Sequence, residues 1–178
     1  MAETPTPGTY SIDPTHTEVS FVVRHMGLSK VRGGFTGVSG TIEVAENPTD
    51  SKVDVTIDAA TFDSGAPDRD THVKSPDFLD VETHPSLTFA SKNIAASTNG
   101  WSLAGDLSIA GVTKPVVLDM EFTGMGVDPW GGTRAAYSAV TKINREDWGL
   151  TWNALLEGGG VLVGKEVTIE LDVQTVKA

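Results

Sequence analysis

The side chains best suited to chemistry gather in one stretch, Ala66 to Phe89, APDRDTHVKSPDFLDVETHPSLTF. It holds His72 and His84 and sets Arg69 between Asp68 and Asp70. A histidine and a carboxylate within hydrogen-bond reach in a cleft can act as general base and orienter, the machinery of a hydrolase or lyase. His72, Asp70 and the more distant His25 are the groups such an enzyme would use. No surrounding motif completes a catalytic set, and no catalytic residue is assigned. Metal chemistry is poorly served as well. The four histidines form no H-x-H or H-x-x-x-H pair, and there is no cysteine to supply a thiolate. Neither a metal nor a cofactor is expected.

Two further patterns fail on their setting. Gly159 to Lys165, GGVLVGK, matches most of a phosphate-binding loop, but Glu166 stands where a Ser or Thr should hold magnesium, and a strand follows instead of a helix. Gly37-Val38-Ser39-Gly40 is one residue short of a nucleophile elbow and lies within a strand. The charges of the 66–89 stretch have an ordinary explanation. Pro67 opens a helical turn, Asp68 and Asp70 fall near its positive end and Lys74 near its negative end. Ser75 then caps a second turn through Leu79. On this reading Arg69 forms ion pairs with Asp68 and Asp70 that fix a helical connection, and Arg145 does the same beside Glu146 and Asp147.

Composition excludes several functions. The 178 residues suffice for one domain with a full core. A net charge of −11 opposes nucleic-acid binding and electrostatic docking on anionic membranes. No apolar run approaches the ~20 residues of a membrane span, so no stable membrane insertion is expected. The start, MAETPTPGTY, has neither a basic region nor an apolar core, and the chain reads as cytoplasmic.

The elements that must position these groups alternate with period two. Val19, Phe21, Val23 and His25 share one face of a strand; Glu18, Ser20, Val22 and Arg24 share the other. Similar alternation runs through 53–59, 101–109, 116–123, 135–143 and 167–174; a long glycine-rich strand spans 31–44, and another starts at Leu87 and Phe89 and fades near Ala95. Glycines 33, 34, 37 and 40 mark bends in the second strand. Eight strands joined by short turns, with no long helix for a parallel crossover, make an antiparallel sheet. Closing that sheet into a barrel removes its edges, and a two-sheet sandwich is the competing arrangement. Residues 1–8 form a disordered Pro/Thr tail and 9–178 the single domain. The expected fold is an all-β, eight-stranded antiparallel barrel with a short helical connection at about 67–80 and a second irregular segment at about 145–163. Trp148 and Trp152, four apart in that segment, fit one helical turn with both indoles on one side, as core or as a plug for one end of the barrel.

These residues carry a resemblance. SIDPTHTEVSFVVRHMGLSKVRGGFTGVSGTI resembles the start of YceI-like proteins, the polyisoprenoid-binding family. RDTHVKSPDFLDVETHPSLTF, GDLSIAGVTKPVVL and INREDWGL continue the likeness in order from Tyr10 to about Val173. Tyr10, Thr17, Val73 and Leu79 stand where the family usually has Trp, Ser, Leu and Phe. The resemblance implies a lipocalin-like barrel around a long apolar pore. It implies a bound long-chain lipid, such as a polyisoprenoid or isoprenoid quinone, and commonly a homodimer.

The expected function is therefore non-catalytic binding of a long-chain amphiphile as carrier, store or scavenger. A small hydrolase or lyase at the barrel mouth and a stress-response interaction protein with a filled core are the alternatives. The inward faces nominate Val19, Phe21, Val23, Phe35, Phe89, Leu107, Met120, Phe122, Tyr137, Val167 and Ile169 as ligand contacts. Trp148 and Trp152 join them, with His25 and Tyr137 as the polar contacts.

Overall fold

The computed structural model describes residues 4–178. Its strands are β1 (Gly8–Ile12), β2 (Glu18–His25), β3 (Ser29–Phe35), β4 (Val38–Val44), β5 (Lys52–Asp58), β6 (Phe62–Asp63), β7 (Ser86–Ser97), β8 (Gly100–Ile109), β9 (Val112–Val127), β10 (Thr133–Asn144) and β11 (Val163–Lys177). A single α-helix, α1 (Pro67–Lys74), lies between β6 and β7.

The sheet runs β1-β4-β5-β7-β8-β9-β10-β11, and β11 pairs back to β1, closing an eight-stranded antiparallel barrel. β11 is long enough to serve two neighbours. Its residues 175–177 pair with β1 and its residues 163–172 with β2. β1 and β2 are therefore successive lengths of one wall, interrupted by the turn at Asp13–Thr17. β4 and β3 continue each other in the same way across Thr36-Gly37. At Gly37 any added side chain would meet Thr61 and Asp58, so the break admits only glycine.

The alternation sorts the side chains as a barrel requires. Along β8, Trp101, Leu103, Gly105, Leu107 and Ile109 are buried while the residues that alternate with them are half-exposed. At one end the interior is filled by Tyr10, Ala135 and Thr175, each fully buried. Outside that end Arg134 donates to Asp13 (2.8 Å), Asp128 (2.9 Å) and Gln174 (2.8 Å), joining three segments distant in sequence. Its guanidinium holds the Asp13 carboxyl well below the usual carboxylate range, helped by Thr15 and His16. Asp128 is lowered too, by the Gly132 amide first and Arg134 next.

Three sequence expectations are corrected at the N-terminus and in the irregular segments. The first strand begins at Gly8, and Thr6 accepts the Tyr10 hydroxyl on its carbonyl at 2.8 Å, so the tail expected over 1–8 is in part wall; residues 1–3 lie outside the described residues. Arg69 forms no ion pair with Asp68 or Asp70 among the described residues. It donates to the Ser64 hydroxyl (2.7 Å) and carbonyl (3.0 Å), because consecutive helical residues diverge by about 100°. Trp148 and Trp152 do not share a face. The 3-10 turn Arg145–Trp148 ends at Gly149, whose φ of 78° turns the chain away before a second helical turn forms.

Candidate functional site: two apolar chambers and a polar mouth

The interior holds two cavities that meet at Phe21, Leu87 and Ile109. The inner one, about 110 Å³, lies within the barrel. The outer one, about 450 Å³, opens at the end where α1 and the 145–163 segment sit. Phe21, Phe35 and Phe62 make a row of edge-to-face contacts at 5.0 and 5.5 Å beside the junction. The open pore expected from sequence is thus a narrow inner chamber below a wider mouth, because inward Phe89, Leu107 and Tyr137 fill much of the barrel's width. A larger, more polar depression of about 950 Å³ shares Met120, Ser138, Ala139 and Leu171 with the inner chamber; its Glu18, Glu121, Glu170 and Asp172 are exposed on the strands.

The residues nominated from sequence divide between the chambers. Val19, Phe89, Leu107, Met120, Tyr137 and Ile169 line the inner one. Val23, His25, Phe35, Trp152 and Val167 line the mouth, and Phe21 touches both. Two fall outside. Phe122 packs on Tyr137 with ring centroids 5.6 Å apart and lines neither chamber. Trp148 is 3% exposed and donates its indole N–H to the Leu107 carbonyl at 2.9 Å, so it is a strut between the 3-10 turn and β8. His25 lies on the expected face but at the end of β2, where it is exposed on the rim. The Tyr137 hydroxyl is buried with no hydrogen-bond partner among the described residues, and burial pushes its pKa up.

The mouth contains two arrangements that differ from the sequence reading. The first is Arg145, 4% exposed. It donates to the backbone carbonyls of Gly164 (2.8 Å), Leu150 (2.5 Å) and Val163 (3.2 Å), and its guanidinium lies 5.8 Å from the centre of the Phe78 ring. Expected in a surface ion pair, it is instead buried among carbonyls, and burial lowers its pKa. Position 145 is legible only as part of INREDWGL; nothing in residue type marks this arginine as internal. The second is a small aromatic box. His72 stands edge-on to Trp152 (4.4 Å) and Phe78 (5.1 Å), and its Nε2 is 2.9 Å from an Asp77 carboxylate oxygen.

His72 therefore has a carboxylate partner at the mouth, but it is Asp77 rather than Asp70. Asp70 accepts instead from the Ser64 amide at 2.9 Å. The hydroxyls nearby in sequence are occupied: Thr71 donates to the Pro67 carbonyl at 3.0 Å and Ser75 to the His72 backbone carbonyl at 2.6 Å. The pair fixes the imidazole ring against Trp152. Among the charged side chains lining the mouth, Arg24, Arg69 and Arg145 are cationic and Asp68 alone is anionic, in a chain of net charge −11. The arrangement can enclose an apolar chain and present cationic donors to a polar end.

A closed eight-stranded antiparallel barrel with an apolar interior reached from one end places the molecule among lipocalin-like barrels. The YceI-like domain family matches residues 10–175, and the chain belongs to that family. Protein YceI of Escherichia coli is 39% identical over 144 residues, covering 79% of this chain and 75% of that one. Among solved structures, Burkholderia cenocepacia BcnA superposes with a TM-score of 0.79 at 23% identity, covering 92% of this chain and 98% of that one. A polyisoprenoid binding domain from Saccharophagus degradans, implicated in plant cell wall breakdown, gives 0.70 at 14% identity, covering 95% and 98%. No helix among the described residues is long and apolar enough to cross a membrane.

Proposed function

We propose that the protein binds one long-chain amphiphile, a polyisoprenoid, isoprenoid quinone or similar lipid, and acts as its carrier, store or scavenger without catalysis. The observation that supports this most directly is the pair of joined apolar chambers beneath a cationic mouth. The chain's apolar end lies inward against Val19, Phe89, Leu107, Met120, Tyr137 and Ile169. It passes Phe21, and its polar end rests near Arg145, His25 and Trp152. Each methylene moved from water into such a chamber contributes about 0.8 kcal/mol, so a long chain binds without covalent chemistry. The Saccharophagus domain, described as polyisoprenoid-binding, has the same fold.

The test is organic extraction and mass spectrometry of gently purified protein. A chain-like lipid at near-equal stoichiometry is expected, and its loss from a folded Phe21→Asp variant, which puts a charge at the junction. A wild type that neither retains such a lipid nor takes one up when offered refutes the proposal.

A further inference from the structure

We propose that the rim of the mouth is a docking surface for anionic phospholipid membranes, through the tip of the β2–β3 hairpin and the adjoining 154–162 loop. The inference rests on the lipid-binding reading for its purpose, not for its evidence. Leu28 is 76% exposed and Leu155 88%, with Met26 at 42% beside them. A single exposed leucine is ordinary on a protein surface. These three belong to two tips held together. The Met26 amide donates to the Leu162 carbonyl at 2.8 Å, the Leu162 amide donates to the Ala154 carbonyl at 2.9 Å, and Leu155 bridges to Val161. Both tips border the 450 Å³ cavity, whose wall includes His25, Leu162 and Val163.

Charge selects the occupant. The chain carries 24 Asp and Glu, yet none falls between Val19 and Ile42, the whole of the hairpin and its flanks. That span holds Arg24, Lys30 and Arg32. Arg32 is paired with Glu170 at 3.2 Å, leaving Arg24 and Lys30 beside the apolar tip with no ion pair among the described residues. Glu157 is the one carboxylate on the 154–162 loop. The global charge of −11 argues against anionic membranes, but at physiological salt a charge is felt over about 8 Å, so the footprint outweighs the far side of the barrel. Exposed leucines flanked by cations at a lipid-sized opening match an interface of acyl chains beneath anionic head groups. Docked there, the mouth meets the bilayer without the amphiphile crossing water.

The experiment is vesicle co-sedimentation of the full chain with phosphatidylcholine and with phosphatidylcholine mixed with phosphatidylglycerol. Preferential binding to the mixed vesicles is expected, weakened by added salt. Arg24→Gln with Lys30→Gln should remove most of the preference. Leu28→Glu with Leu155→Glu should lower partitioning by roughly tenfold or more for each leucine that inserts. Circular dichroism checks that both variants fold, and uptake of a soluble fatty acid by the leucine variant, whose substituted side chains line neither chamber, checks that the chambers still load. Uptake failing in the wild type counts against the lipid-binding reading alone. Absence of wild-type binding to mixed vesicles, or equal binding by the leucine variant, overturns the docking surface. So does a wild-type dimer, seen by analytical ultracentrifugation, that the leucine variant dissociates, because the tips would then meet a second copy.

Discussion

Filling the inner chamber should shorten the ligand the protein can hold. Ala139 has the smallest side chain lining that chamber, on the wall between Met120 and Leu171. Ala139→Leu places a branched side chain into about 110 Å³ of empty space. Empty apolar volume costs about 24 cal/mol per Å³, so a chain end occupying the 110 Å³ recovers about 2.6 kcal/mol, roughly 80-fold in Kd. The variant should therefore bind long chains about 10- to 100-fold more weakly, while short chains confined to the mouth keep their affinity. The unliganded variant should also melt higher than wild type, by the few degrees that about 1 kcal/mol gives a domain of this size. Titration calorimetry with a homologous series of alkyl chains, together with thermal melts, provides the comparison. Equal weakening at every length would mean that the substitution distorts the mouth. Unchanged affinity at every length would mean that no chain reaches the inner chamber, and the reasoning about depth would be wrong.

Two further outcomes follow from the charged groups. Arg145→Met removes the donor to the Leu150 carbonyl and to the Val163 and Gly164 carbonyls at the start of β11 and should cost about 3–5 kcal/mol in chemical denaturation, with Arg145→Lys recovering part, since an ammonium reaches fewer of them. At the opposite end, Asp13 is depressed chiefly by Arg134, so its contribution is present above the ordinary aspartate value and lost as pH falls below about 4. Wild-type melting temperature should drop through that range; Arg134→Ala should start lower at neutral pH and depend less on acid. A variant with an undiminished acid slope would show that other carboxylates govern it.

Much of this architecture was already legible in the order of residues. Period-two alternation marked inward faces along most of the wall, though not on β1, and it put Phe21, Leu107 and Ile169 on the chamber side, where they lie. The helical dipole pattern of 67–74 located α1. Four motifs in sequence pointed to the family that the comparison identifies. These are local properties: a strand's period and a helix's terminal charges are set by neighbours along the chain. What tertiary structure alone decided is where distant segments meet. Phe122 shares the inward phase of Met120 yet lines neither chamber, since the barrel has filled around Tyr137 at that level. Arg145 reads as a surface charge until β11 brings the Val163 and Gly164 carbonyls to it. His72 finds Asp77, not Asp70, because the chain turns back at Ser75. Alternation says which side of a wall a residue takes; only closure of the wall fixes how much space is left behind it, and which tips end up beside the opening.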